Sequence, residues 1–123
     1  MNKISIQNNI DSLDNCKYVE NEGRIYWRAT LLFKYFEFEK WQNFHILIDT
    51  VSEQINKVDL HKKEVLIGNP INVTNEILLS RSFCERLLAL LPNTNDKTIV
   101  GKEYFGSYYG NSDAIITRII NNY

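Results

Sequence analysis

Two histidines, two cysteines and a few closely spaced carboxylates are the residues of this chain that chemistry would call on first. His45 and Asp49 stand four apart and share one face if their segment is helical, which is the arrangement of an acid–base pair. A helix-surface histidine beside a carboxylate is also common where no chemistry occurs. His61 lies in a charged run with Asp59, Lys62, Lys63 and Glu64 and reads as part of a solvated patch. Neither histidine has a second at metal-motif spacing, and Cys16 and Cys84 supply no CxxC pair. Cys84 falls within Ser82-Phe83-Cys84-Glu85-Arg86-Leu87-Leu88, where a buried free thiol is expected. Glu37 and Glu39 are ordinary surface carboxylates unless a cleft holds them. Gly101-Lys102 resembles only the tail of a phosphate loop, without the preceding glycines or a following hydroxyl residue. The reading that follows is a non-enzyme with no catalytic residue, no metal site and no cofactor.

Binding chemistry has more candidates. Tyr104, Phe105, Tyr108 and Tyr109 fall at helical spacing, and such rings can stack on bases or anchor a protein. Trp27 and Phe105 are expected in the core, whereas Tyr104, Tyr108 and Tyr109 suit core and surface about equally. With Ile116 and Ile120 of the C-terminal run, these three tyrosines form a candidate protein-binding set. Arg24, Arg28, Lys40, Arg81 and Arg86 form a candidate nucleic-acid-binding set, because cations near helix starts can contact phosphates alongside backbone donors. Each of them singly reads as part of a solvated face, and Glu37, Glu39, Asp49 and Glu53 would weaken a shared patch.

The elements that must hold these residues belong to one small domain, residues 1–123. The chain is 44% hydrophobic and 24% charged, a globular balance able to bury a core without disulfides or metals. A net charge of -1 argues against a uniformly basic body, so any DNA surface would be a local patch. The N-terminus has no apolar signal region and no run reaches membrane-spanning length, which points to a cytoplasmic protein with no membrane partner.

Residues 1–14 read as a loosely ordered polar segment in which alternation at Ile4 and Ile6 permits a short strand. Lys17–Glu20 and Ile25–Trp27 flank a polar turn with Gly23 and read as a hairpin. A first helix is expected from about Arg28 to Phe36. A second runs from Lys40 to about Asn56, with Trp41, Phe44, Leu47, Ile48, Val51 and Ile55 on one stripe. Glu64–Ile67 and Glu76–Leu79 surround Gly68-Asn69-Pro70 and suggest a second hairpin. Ser80 or Ser82 can cap a third helix, the latter with Glu85 at capping-box spacing. A fourth spans about Lys97 to Tyr109. The last, residues 112–123, has an isoleucine face that closes the core or makes a homodimer contact. The fold class is α+β, with short hairpins and about five helices.

Two stretches carry a family resemblance. Tyr26-Trp27-Arg28-Ala29-Thr30-Leu31-Leu32, continuing through Phe36-Glu37-Phe38 to Lys40-Trp41-Gln42-Asn43-Phe44, resembles the N-terminal region of the DNA-damage-inducible protein D family, related to the Bro-N domain of phage antirepressors. That pattern is roughly YWxARxLxxxLGYxKWxNF. Leu79-Ser80-Arg81-Ser82-Phe83-Cys84 resembles the family's LSRYAC stretch, with Tyr104-Phe105 matching a YF pair beyond it. Thr30 stands where the family has Arg, Glu37 where it has Gly, and the longer C-terminal half is absent. The resemblance implies a Bro-N-like domain, DNA binding as in phage regulators, or protein contacts around recombination and repair. The expectation is a non-enzymatic DNA-binding regulator of phage or mobile-element type. The alternative is an inhibitor or adaptor that grips a host nucleic-acid-handling or defence protein.

Overall fold

In the computed structural model, residues 1–54, 62–69, 72–106 and 111–123 are described. In chain order they form α1 (Lys3–Asp14), β1 (Lys17–Val19), β2 (Ile25–Arg28), α2 (Ala29–Tyr35) and α3 (Trp41–Glu53). Then come β3 (Lys62–Asn69), β4 (Asn72–Leu79), α4 (Arg81–Leu88), α5 (Asp96–Phe105) and α6 (Ser112–Asn122). The architecture is α+β, with the helices gathered against a four-stranded antiparallel sheet of order β1-β2-β4-β3.

The N-terminal segment is a helix, neither loosely ordered nor a strand. Ile6, Ile10 and Leu13 recur at helical spacing and are all buried, while Ile4 is 74% exposed. The alternation of Ile4 with Ile6 is thus incidental, and the longer period decides. Asn2 caps this helix by accepting from the Ser5 amide at 2.8 Å. Ser80, Asn95 and Asn111 cap α4, α5 and α6 in the same way, accepting from Phe83, Thr98 and Ala114.

α2 ends in a Schellman arrangement. The Phe38 amide donates to the Phe33 carbonyl and the Glu37 amide to that of Lys34, which places Glu37 at φ 60°. Glycine is the residue that takes this left-handed conformation without strain. Here a glutamate takes it, with its carboxylate 2.9 Å from Lys97.

The core lies between the sheet and the helices. Trp27 meets Tyr104 and Phe105 edge-on at centroid distances of 6.0 and 5.1 Å, and α1 packs on α5 and α6 behind them. Gly101 is buried in mid-α5, where an added Cβ would sit 2.9 Å from Leu88 and 3.0 Å from Phe36. Its role is close helix packing, and Lys102 beside it donates to the Leu91 carbonyl at 2.5 Å.

The β3–β4 hairpin outgrows its sheet. Each of its strands has eight residues, against three in β1 and four in β2. β2 pairs with β4 only at Trp27↔Leu79 and Arg28↔Leu78, so the register from Val65↔Glu76 to Asn69↔Asn72 continues with two strands alone. Gly68, at φ 128°, lies so close to the facing strand that a Cβ would come 2.2 Å from the Asn72 carbonyl oxygen. The expected turn residue Pro70 lies outside the described residues.

Candidate binding surface

The base of the long hairpin is built around a buried carboxylate. Glu76 is 2% exposed, and both its oxygens are engaged. The Thr30 amide donates to it at 3.0 Å, the Ile77 amide at 3.2 Å and the Arg28 guanidinium at 3.3 Å, and the Thr30 hydroxyl adds a further bond. Thr30 lies in the first turn of α2, so a carboxylate from β4 serves a helix N-terminus that has no cap of its own. Thr30 is where the resembled pattern carries Arg. Its amide and hydroxyl are what tie α2 to β4 in this chain.

Beside Glu76 opens a cleft of about 500 Å³ between α2, α3 and the hairpin. Trp41 and His45 of α3 form one wall; Glu64, Leu66, Asn75 and Ile77 form the other. The register places those four hairpin residues on one face, since Leu66 opposes Asn75 and Glu64 opposes Ile77. Trp41 is held edge-on by Phe33 at 5.5 Å, which fixes the ring at the cleft wall. His45 Nδ1 lies 3.2 Å from Asp49 as the spacing suggested, with both side chains well exposed. Among the described residues, no group of three or more His, Cys, Asp or Glu is arranged to hold a metal ion. His61 lies outside the described residues.

The opposite face of the hairpin carries Lys63 and Val65. With Glu20, Glu22 and Arg24 of the β1–β2 turn they line a second, more polar groove of about 600 Å³. Lys63 is ion-paired with Glu20 and lies 5.5 Å above the Tyr26 ring. The Glu20 hydrogen bond raises the Lys63 pKa above its ordinary value. Leu66 is 72% exposed and Val73 48% exposed, and Val65 and Leu66 contribute to both the cleft and the groove.

Of the five cations expected to face phosphate, Arg28 and Arg81 have partners within the fold. Arg28, with 29% of its side chain exposed, is ion-paired with the buried Glu76. Arg81 pairs with Glu85 at 2.7 Å and donates to the Phe105 carbonyl at 2.5 Å, so it fastens the end of α5 to the start of α4. Arg24 is exposed but shares its groove with Glu20 and Glu22. Lys40 and Arg86 are exposed on the α2–α3 connection and on α4, and no described interaction gathers them with Arg24.

The expected protein-binding set is also redistributed. Tyr104 is fully buried, and its hydroxyl donates to Asp14 at 2.5 Å, joining α5 to the end of α1. Ile116 is 5% exposed and belongs to the core, whereas Ile120 is 51% exposed. Tyr108 and Tyr109 lie outside the described residues. The two thiols are buried and free. Burial pushes the Cys16 pKa up to about 11, against a smaller lowering by Arg28, and raises that of Cys84 still more clearly.

The signal for the surface that did emerge lay in Lys62–Ile67 and Asn72–Asn75. Within them Val65-Leu66-Ile67 is a run of three apolar residues, of which the structure leaves Leu66 72% exposed. No helix among the described residues is long and apolar enough to cross a membrane. No family model, curated protein or solved structure matches this chain.

Proposed function

We propose that this chain is a non-enzymatic binding domain whose partner is a protein, and that the β3–β4 hairpin with its adjoining cleft is the docking element. The observation that carries the reading is the projection of Leu66 and Val73 into solvent beside a cleft walled by Trp41 and Ile77. Exposed apolar side chains beside a cleft with polar groups at its rim, here Glu64, Asn75 and His45, are features of macromolecular contact sites. From the Bro-N-like resemblance the reading keeps the regulatory, adaptor-type role and the host nucleic-acid-handling protein as partner. Arg28 and Arg81 lend the DNA reading less than freely solvated cations would, because part of each guanidinium is engaged by an internal partner.

The test sets full-length protein against the Leu66→Lys variant in a quantitative capture that reads out both protein and nucleic acid. A stoichiometric protein partner, lost with the variant, is the expected result. Recovery of nucleic acid alone, or a partner retained undiminished by Leu66→Lys, sinks the proposal. DNA binding through Arg24, Lys40 and Arg86 would appear as a gel shift at low salt that disappears steeply as salt rises. Replacing all three by alanine would abolish it.

A further inference from the structure

We infer that the partner is held as an extended strand added to the free edge of β3, with its alternate side chains entering the cleft on one face and the groove on the other. The inference rests on the protein-partner reading and specifies its geometry.

β3 is the last strand of the sheet, and among the described residues no backbone hydrogen bond reaches it from the side away from β4. Among the described residues, half of its backbone donors and acceptors are therefore unpaired along a strand of eight residues. Edges of this kind are normally blunted by charge, proline, bulges or brevity. β3 has charges only at its start, Lys62-Lys63-Glu64, and then presents Val65-Leu66-Ile67.

The second observation is the pair of hollows. Side chains of a strand laid along this edge alternate between the two faces of the sheet. One face offers the Trp41–Ile77 cleft, the other the groove with Glu20, Glu22 and Arg24, and the Val65–Leu66 ridge divides them. Glu64, at the cleft rim, has no ion pair among the described residues. The complementary occupant is a strand alternating apolar with polar side chains, its cleft-facing apolar set ending at the rim in a lysine or arginine opposite Glu64. A second copy of β3 fits poorly. Its three consecutive apolar residues would press at least one into the polar groove.

The experiment pans a displayed library of linear peptides of about ten residues, long enough to span a strand, against the full chain. Selected peptides are then resynthesised with either alternate set of amides N-methylated. The expected result is an alternating apolar–polar consensus. Methylation of one amide set weakens binding about tenfold or more while the other set is tolerated, and the Leu66→Lys chain binds correspondingly less. Bound peptide also protects β3 amides from exchange. Equal tolerance of both methylated sets would mean side-chain docking without strand pairing, overturning the edge geometry while the protein-partner reading stands. No enrichment over the Leu66→Lys chain overturns the edge in the same way. Concentration-dependent dimerisation that protects β3 amides without peptide overturns it in favour of self-pairing. Binding of DNA alone overturns both readings.

Discussion

The lower and upper halves of the β3–β4 hairpin share one pair of strands and one register but live in different solvents. Below, Leu78 and Leu79 are fully buried against β2 and the helices, and Glu76 is saturated by Thr30, Ile77 and Arg28. Above, Leu66 and Val73 face water, and Glu64 has no described ion pair. What separates them is strand length. β2 stops at Arg28 and the chain turns into α2, so only Leu78 and Leu79 of β4's eight residues pair with it. The lower half is held by its packing; among the described residues the upper half pairs with no third strand, and two-stranded ribbons are marginal alone.

The largest effect expected from this contrast concerns the two glutamates. Glu76→Ala leaves the Arg28 guanidinium and the Thr30 amide without their buried partner, and should destabilise the fold by about 3 kcal/mol. Glu64→Ala should change stability by no more than about 0.5 kcal/mol. Urea denaturation of both variants measures the difference, and equal losses would erase the distinction between the halves. Native-state hydrogen exchange sharpens it. Leu78 and Leu79 amides should exchange only near global unfolding, while Leu66, Ile67, Val73 and Thr74 should exchange through far cheaper local opening.

The next effect is one of pH. Burial raises the Cys16 pKa to about 11 from an ordinary 9.0, so the folded state holds its proton more tightly than the unfolded state. The corresponding stability is complete below about pH 9 and is lost as pH rises through about 11. Cys84 shifts in the same direction for the same reason. Stability measured at pH 7 and pH 10 should therefore fall at the higher value, and iodoacetamide should label both thiols only on unfolding. Rapid native-state labelling at neutral pH would show that the lower core is open.

Glu37→Gly gives a smaller effect of opposite sign. Glycine relieves the left-handed conformation at the end of α2, while the exposed Lys97 pair that it removes is worth little. A gain of about 1 kcal/mol, or roughly 4 °C in Tm, is expected. A loss would show that the Lys97 contact outweighs the backbone strain.

Local rules made much of this fold legible. The Trp41–Val51 stripe, both hairpins and the terminal isoleucine face follow from periodicity and turn residues within a few positions. α1 was hidden because Ile4 and Ile6 mimic a strand, although Ile6, Ile10 and Leu13 already carried the helical period. The candidate surface was harder to read. Arg28 and Arg81 looked like surface cations because their partners, Glu76 and the Phe105 carbonyl, stand 48 and 24 residues away. Tyr104 was equally ambiguous until Asp14, 90 residues distant, supplied the acceptor for its hydroxyl. Side chains that satisfy one another across the fold leave no local trace. Strand length relative to the neighbouring strand, which exposes the upper hairpin, is likewise a property of the assembled sheet.

The smallest effect is the most discriminating. Leu66→Lys replaces an apolar side chain that is already 72% exposed, so little burial is lost and stability should stay within about 0.5 kcal/mol of the parent. The added charge nevertheless sits on the ridge between the cleft and the groove, at the middle of the open edge, where lysine is a known deterrent to strand addition. An unchanged melting curve combined with lost partner binding would separate what the upper hairpin does from what holds it. A loss of stability above about 1 kcal/mol would instead mean that Leu66 packs within the fold. The two halves of the hairpin would then be one structural unit, and the exposed edge a consequence of packing alone.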